Sequence, residues 1–168
     1  MSTARVAVVI GSDSDYDVME DGVKTLKEFG LACDVQVMSA HRSPAAVAEF
    51  ASTAQERGLK VIIAGAGGAA HLAGVVAAHT CLPVIGVPLS STPLAGFDSL
   101  LATVQMPPGI PVATVAVGHF GAHNAAVLAV QILALSDDSL KEKLKKFKIK
   151  LADQVAKKNE ALQKKMTA

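Results

Sequence analysis

Five short apolar stretches, residues 6–10, 32–38, 61–64, 84–87 and 112–117, recur along the chain at nearly even intervals, each closed by a small or turn-forming residue. Their hydrophobicity is continuous and rich in Val and Ile rather than alternating, which is the pattern of parallel strands covered on both faces. The intervals between them are helical in character and supply crossovers, so the chain is expected to form a doubly wound α/β sandwich. Two later stretches stand apart. Residues 124–135 are Ala-rich and apolar nearly all round, a pattern that demands cover on more than one side, and in a chain this small the expected cover is another subunit. Beyond them Leu140, Leu144, Phe147, Leu151, Val155, Leu162 and Met166 recur at helical spacing and make the tail an amphipathic helix.

In a doubly wound fold ligands bind outside the carboxyl ends of the strands, so the loops after each apolar run are the places to search. The second run ends in Ser39-Ala40-His41-Arg42-Ser43-Pro44. Histidine can take and give a proton near neutral pH, and the guanidinium of Arg42 is a fixed planar fork suited to phosphate. Ser43 is expected to cap a helix begun by Pro44, whose free N–H groups favour an anion. The same hexapeptide also reads as a helix cap flanked by two surface polar residues. After the first run, Gly11-Ser12-Asp13-Ser14-Asp15 offers a turn glycine, two hydroxyls for phosphate and a carboxylate, Asp15, for paired ribose hydroxyls, although capping accounts for Ser14 as well.

The third run ends in Gly65-Ala66-Gly67-Gly68-Ala69-Ala70-His71, which formally fits the Gly-x-Gly-x-x-Ala dinucleotide fingerprint. That fingerprint expects an acidic residue some way downstream, and residues 72–97 contain no Asp or Glu, so a Rossmann cofactor site is not supported. What remains is a backbone-lined hollow for a flat ligand with His71 at the next helix start, as a ligand contact or as a structural histidine. Ser90-Ser91-Thr92-Pro93 after the fourth run is too generic to assign. No Walker A sequence is present.

Composition narrows the classes further. The chain of 168 residues is long enough for one core without disulfides or metal, and 51% of it is hydrophobic. Only 4% is aromatic, with no Trp, which argues against base-stacking platforms for nucleic acid. Cys33 and Cys81 lie in apolar surroundings with no metal spacing and read as buried reduced thiols of a cytoplasmic protein. No apolar run approaches the length of a membrane span. The net charge of +1 hides an asymmetry: ten of the sixteen Lys and Arg follow residue 140, whereas the first 136 residues carry six basic against ten acidic side chains. Because the tail lysines share a helix with an apolar stripe, docking on protein is favoured over nucleic-acid binding.

Taken together, Gly-Ser-x-Ser-Asp at 11–15, Ser-Ala-His-Arg-Ser-Pro at 39–44, Gly-Ala-Gly-Gly-Ala-Ala-His-Leu at 65–72, Leu-Pro-Val-x-Gly-Val-Pro at 82–88, Asp-Ser-Leu-Leu at 98–101, Gln-Met-Pro at 105–107 and Asn-Ala-Ala at 124–126 resemble the small bacterial-type N5-carboxyaminoimidazole ribonucleotide mutases of purine biosynthesis. The resemblance covers almost everything to about Leu135. It departs from the family pattern at Tyr16, where Trp is common, at Ala73, where Pro is usual, and in the lysine-rich tail.

The resemblance implies a flavodoxin-like three-layer αβα sandwich with a parallel five-stranded sheet and a C-terminal helical extension. It also implies a homo-octamer; residues 1–136 would be the catalytic α/β domain, and residues 137–168, from their amphipathic pattern rather than from the family, are expected to be a helix of the same domain that packs on a neighbouring subunit. It implies isomerisation of N5-carboxyaminoimidazole ribonucleotide to 4-carboxy-5-aminoimidazole ribonucleotide without metal, biotin or ATP. His41 would be the acid/base. Ser12, Asp15 and Arg42 would hold the ribose phosphate with Ser14 and Ser39 assisting, and the glycine loop from Gly65 to Gly68, Gly67 and Gly68 included, would close on the imidazole and carboxylate, with His71 following it as a further candidate contact. Two alternatives stay open: the related carboxylase that takes free CO₂, a group that carries Lys where this chain has Arg42, and a non-enzymatic nucleotide- or flavin-binding module on the same fold.

Overall fold

The computed structural model describes residues 4–167, so the outermost ends of the two expected units, residues 1–3 and 168, lie outside the described residues. Five parallel strands, β1 (Val6–Ile10), β2 (Cys33–Val37), β3 (Val61–Gly67), β4 (Val84–Leu89) and β5 (Ala113–Thr114), form one sheet in the order β2-β1-β3-β4-β5. The helices between and after them are α1 (Tyr16–Glu28), α2 (Pro44–Thr53), α3 (Leu72–His79), α4 (Phe97–Val104), α5 (His119–Ala134) and α6 (Asp138–Met166). Alternate residues of β1 feed two cores. Val6, Val8 and Ile10 pack with α1 and α5, while Ala7 and Val9 pack with α2 and α3. This is the flavodoxin-like α/β sandwich the apolar runs and the family resemblance led us to expect.

The strands differ from expectation at both edges. β2 is half-exposed rather than buried, and its Gln36 and Asp34 side chains bond to each other at 2.6 Å, because β2 is flanked on one side only. β5 shrinks from the expected 112–117 to two residues. Its ladder with β4 ends at Gly86↔Thr114, and two positions further along β4 stands Pro88, which has no N–H to give. The Pro88 carbonyl still accepts from Gly118 N–H at 2.9 Å, so the chain stays alongside without a strand.

The apolar helix is also longer than expected, running from His119. Its cover is found within the chain: α1, the sheet and the first turns of α6. Gly22 of α1 lies so close to it that a Cβ there would stand 2.8 Å from the Ala122 carbonyl oxygen. The expectation that a second subunit must cover this helix is therefore corrected. Cys81 corrects another expectation, being exposed in the turn between α3 and β4, while Cys33 is half-buried and its thiol is pushed up by that burial.

The tail, too, has a partner in its own chain at first. Leu140 is buried, Leu144 and Phe147 are half-buried against the α1/α5 core, and Phe147 meets Phe29 edge-on at 5.5 Å. Lys143 Nζ donates to the Phe29 carbonyl at 2.6 Å, so a tail lysine closes the end of α1. From Lys148 to Thr167 every described side chain is exposed. Among the described residues no helix is long and apolar enough to cross a membrane.

Asp137 fastens the start of α6. Its carboxylate accepts from the Ser139 hydroxyl at 2.7 Å, from the Ser139 and Leu140 N–H groups and from Arg5 at 2.8 Å, which together hold its carboxyl down to about 2. A carboxylate held below its unfolded pKa contributes stability that is complete above about pH 4 and is lost as pH falls toward the folded value. Asp137→Ala should therefore lower the urea midpoint at pH 7, and the gap between variant and wild type should narrow below pH 4. A gap constant with pH would show that the charge of Asp137 is not what matters.

Candidate active site

At the carboxyl edge of the sheet the ends of β1, β2 and β3 are tied together before any side chain is considered. Gly11 N–H donates to Gly65 O at 3.2 Å, and Met38 N–H donates to Ile10 O at 2.9 Å. The loop after β1 then folds on itself. Ser12 N–H donates to Asp15 Oδ2 at 3.0 Å, Asp15 N–H to Ser12 O at 3.1 Å, and the Ser14 hydroxyl to Ser12 Oγ at 3.0 Å. Burial pushes the Asp15 carboxyl above the ordinary carboxylate value and the neighbouring Asp13 adds to this, while the Ser12 N–H acts against it.

The loop after β2 is built around Ser39. Its Oγ accepts from Arg42 N–H at 3.2 Å and from Arg42 Nε at 3.4 Å, while Arg42 Nη2 reaches across to the Gly11 carbonyl at 3.2 Å. The guanidinium thus lies over the end of β1 with part of its fork uncommitted. Ser43 does not cap α2 with its side chain as expected. Its hydroxyl donates to Ser39 O at 3.0 Å and accepts from Ser39 N–H at 3.0 Å, so it braces the loop rather than occupying the helix N–H groups.

β3 continues three residues past its expected end and then turns tightly, with Ala70 N–H donating to Gly67 O at 3.1 Å. Gly68 and Ala70 both have positive φ, 60° and 43°. For alanine that conformation is strained by about 1 kcal/mol or more, a cost met here by burial of Ala70 and by the turn that delivers His71 to the start of α3. There His71 Nδ1 lies 2.7 Å from His41 Nε2, with the two rings nearly perpendicular.

The loops enclose a cavity of about 360 Å³. Ser12, Ser14, Asp15, Ser39, His41, Arg42, Gly67 and His71 all line it. Gly68, expected among them, does not; it faces Thr92 from the far side of its turn. A residue left unassigned in the sequence, Ser91, joins the wall instead. The signal for it lay in Gly67: a Cβ on Gly67 would collide with Ser91 Oγ and stand 2.8 Å from Ser91 Cβ, so only glycine lets the two loops meet.

A parallel α/β sheet that gathers hydroxyls, a carboxylate, a guanidinium and paired imidazoles over a glycine turn at its carboxyl edge has the layout of a candidate small-molecule site of the doubly wound class. Comparison with known proteins gives the class a family. Residues 5–154 match the family model described as AIR carboxylase, and the chain belongs to that family. It is 57% identical over 144 residues, 86% of this chain and 82% of the relative, to the N5-carboxyaminoimidazole ribonucleotide mutase of Pyrococcus abyssi. To the protein of the same name from Mycobacterium tuberculosis it is 55% identical over 159 residues, 95% of this chain and 90% of that one. The crystal structure of a single-residue variant of Treponema denticola PurE2 superposes with a TM-score of 0.85 at 27% identity, covering 94% and 96% of the two chains. That of Treponema denticola PurE gives 0.81 at 28% identity, with 90% and 94% covered.

The Gly67–Ser91 contact makes a test of the wall. Gly67→Ala should lower stability by about 1–3 kcal/mol, the usual range for overpacking, because Ser91 or the Leu89 backbone must move. Adding Ser91→Gly should return most of that stability in chemical denaturation. A double variant no more stable than Gly67→Ala alone would place the strain elsewhere.

Proposed function

We propose that this chain is a mutase that converts N5-carboxyaminoimidazole ribonucleotide to 4-carboxy-5-aminoimidazole ribonucleotide in purine biosynthesis, acting in the cytoplasm as a homo-octamer. The observation that carries the reading is the placement of His41 in a cavity that also presents Asp15 and the free fork of Arg42, in a chain more than half identical to relatives bearing that name.

The reaction breaks the bond between the exocyclic nitrogen and the carboxyl carbon, releases CO₂ inside the cavity, and forms a bond from the ring carbon to that CO₂. The nitrogen gains a proton and the ring carbon loses one, so the net proton change is zero and one shuttle suffices. His41 gives the first proton and takes the second. His71 Nδ1 meets His41 Nε2 at 2.7 Å and orients the ring before any proton moves. Arg42, the Ser12 and Ser14 hydroxyls and the start of α2 bind the phosphate, helped by Ser43 having left the helix N–H groups free. Asp15 accepts from the ribose hydroxyls, and Gly67 lets the flat imidazole lie against main chain.

The family description names a carboxylase whereas the curated relatives are named mutases, and the two readings differ in where the carboxyl group originates. Arg42, where the carboxylase group carries Lys, supports the mutase. Pure protein should form product from N5-carboxyaminoimidazole ribonucleotide without ATP and incorporate little label from ¹³C-bicarbonate. Product formed only from aminoimidazole ribonucleotide and CO₂, with full label, would establish the carboxylase instead.

Replacement of His41 by Asn should leave fold and substrate binding intact and lower turnover at least about 100-fold, the lower end for a general acid/base. Near-normal turnover would move the role to His71. Arg42→Ala should act mainly on binding, raising KM by an amount worth about 1.5–3 kcal/mol, the range for hydrogen bonds to a charged group. Unchanged KM would refute the phosphate assignment.

For the assembly, the supporting features are the exposed apolar side chains Leu94, Phe97, Leu101 and Val104 on and before α4 and Leu151, Val155 and Leu162 on the free part of α6. Light scattering should give an octamer, and deletion of residues 149–168 should loosen it while leaving the chain's own core folded. A monodisperse monomer at micromolar concentration would remove the basis for any site shared between subunits.

A further inference from the structure

Away from the cavity, where the first turns of α5 run beside α1, four polar side chains form two rungs. His119 and His123 are one turn apart on α5, and Asp21 and Thr25 oppose them at the same spacing on α1. His119 Nδ1 lies 2.8 Å from Asp21 Oδ2, and His123 Nδ1 lies 2.9 Å from Thr25 Oγ1. The direction of each bond follows from donor counting. An ionised carboxylate only accepts, so His119 Nδ1 carries the proton there. The single proton of the Thr25 hydroxyl goes to the Asp21 carbonyl at 2.7 Å, so toward His123 the hydroxyl accepts and His123 Nδ1 carries the proton too.

Each neutral ring is thereby left with its lone pair on Nε2, and neither Nε2 has a hydrogen-bond partner among the described residues. Two histidines four apart on one helix, each with its other nitrogen donating to an oxygen that fixes the tautomer, is the arrangement that metal-ligating imidazoles adopt. Glu28 and the exposed Phe120 border the same depression, and its one lysine, Lys24, is drawn aside to Glu20 at 2.6 Å.

We propose that His119 and His123 form a two-imidazole clamp for a divalent transition-metal ion of the kind that prefers imidazole, such as Zn²⁺ or Ni²⁺, with water completing its coordination. Among the described residues no group of three or more His, Cys, Asp or Glu gathers around a point that could hold an ion, so the protein supplies two donors and the ion is exchangeable. Asp21 and Thr25 act as positioning residues. Ion binding pins the first turns of α5 and stabilises the folded chain by mass action without entering the reaction.

Calorimetric titration of the full-length protein with ZnCl₂ and NiCl₂, counting ions per chain, tests this. The His41–His71 pair also presents imidazole nitrogens, so the titration is run in a His41→Asn background. One ion per chain should bind there and should disappear in the added His119→Gln/His123→Gln pair. Asp21→Asn or Thr25→Val should keep the count and weaken binding at least about tenfold, as loss of a partner behind a metal ligand does. If the histidine pair can be replaced without losing the ion, or if no ion binds at millimolar concentration, the clamp does not exist. If the α1 variants bind as tightly as their parent, Asp21 and Thr25 do not position it. Should the double replacement fail to fold, as judged by circular dichroism, His123→Gln alone carries the same expectation of losing the ion.

Discussion

The site depends on the register between β1 and β3. Gly11 at the end of β1 bonds to Gly65 of β3 and receives the Arg42 guanidinium on its own carbonyl, so three loops are referred to one point of the sheet. That point cannot drift. β1 is buried along its whole length, and a slip by one residue would turn Val6, Val8 and Ile10 from the α1/α5 core into the α2/α3 core, where Ala7 and Val9 now leave room for the helices. The packing on both faces of one strand therefore sets the distance between the serine-rich loop after β1, the histidine loop and the glycine turn. Moving any of them means repacking both layers.

The central part of this arrangement is written plainly in the sequence because β1, β3 and β4 are covered on both faces and must be continuously apolar. The edges are less legible, since they obey local rules. β2 keeps an apolar pattern at its start but carries Asp34 and Gln36 on an unflanked strand, and β5 has the hydrophobicity of a strand but stands opposite a proline that cannot complete the ladder. Helix α5 shows the same limit in reverse. Its uniform apolar surface correctly signals cover on several sides, but nothing in the pattern says that α1 approaches closely enough, through Gly22, to provide it from the same chain.

Around the cavity the side chains that are distinctive by type were legible in the sequence, and those placed there by position were not. His41, Arg42 and Asp15 are chemically distinctive, and the loops that bear them follow strands. Ser91 is an ordinary serine in an ordinary polar loop, and it matters because Gly67 has no side chain. Ser43 reads as a cap from its place before Pro44, yet the Ser39 main chain competes for its hydroxyl and wins both ends of it. Gly68 reads as a wall of the hollow by adjacency, but in the tight turn after β3 it stands against Thr92 instead. Sequence spacing locates a loop; which of its members face inward is decided by backbone torsions that the spacing does not contain.

The contact between His41 and His71 places a further condition on the proposed reaction. At 2.7 Å, His41 Nε2 already has a partner, so a substrate that uses this nitrogen must part the two rings, whereas one that uses Nδ1 leaves them joined. The first route exchanges one hydrogen bond for another and frees His71 to meet the substrate carboxylate. The second keeps His71 as a brace. Either way the released CO₂ must be kept from solvent, and His41, His71 and Ser91 are all exposed in the single chain. From Ser91 the chain runs on into Leu94, Phe97 and Leu101, large apolar side chains that stay exposed among the described residues. In the octamer proposed above, a chemistry that needs a closed chamber and a wall that needs a neighbour would be met by the same contact, which is the physical reason to expect the assembly and the activity to fail together.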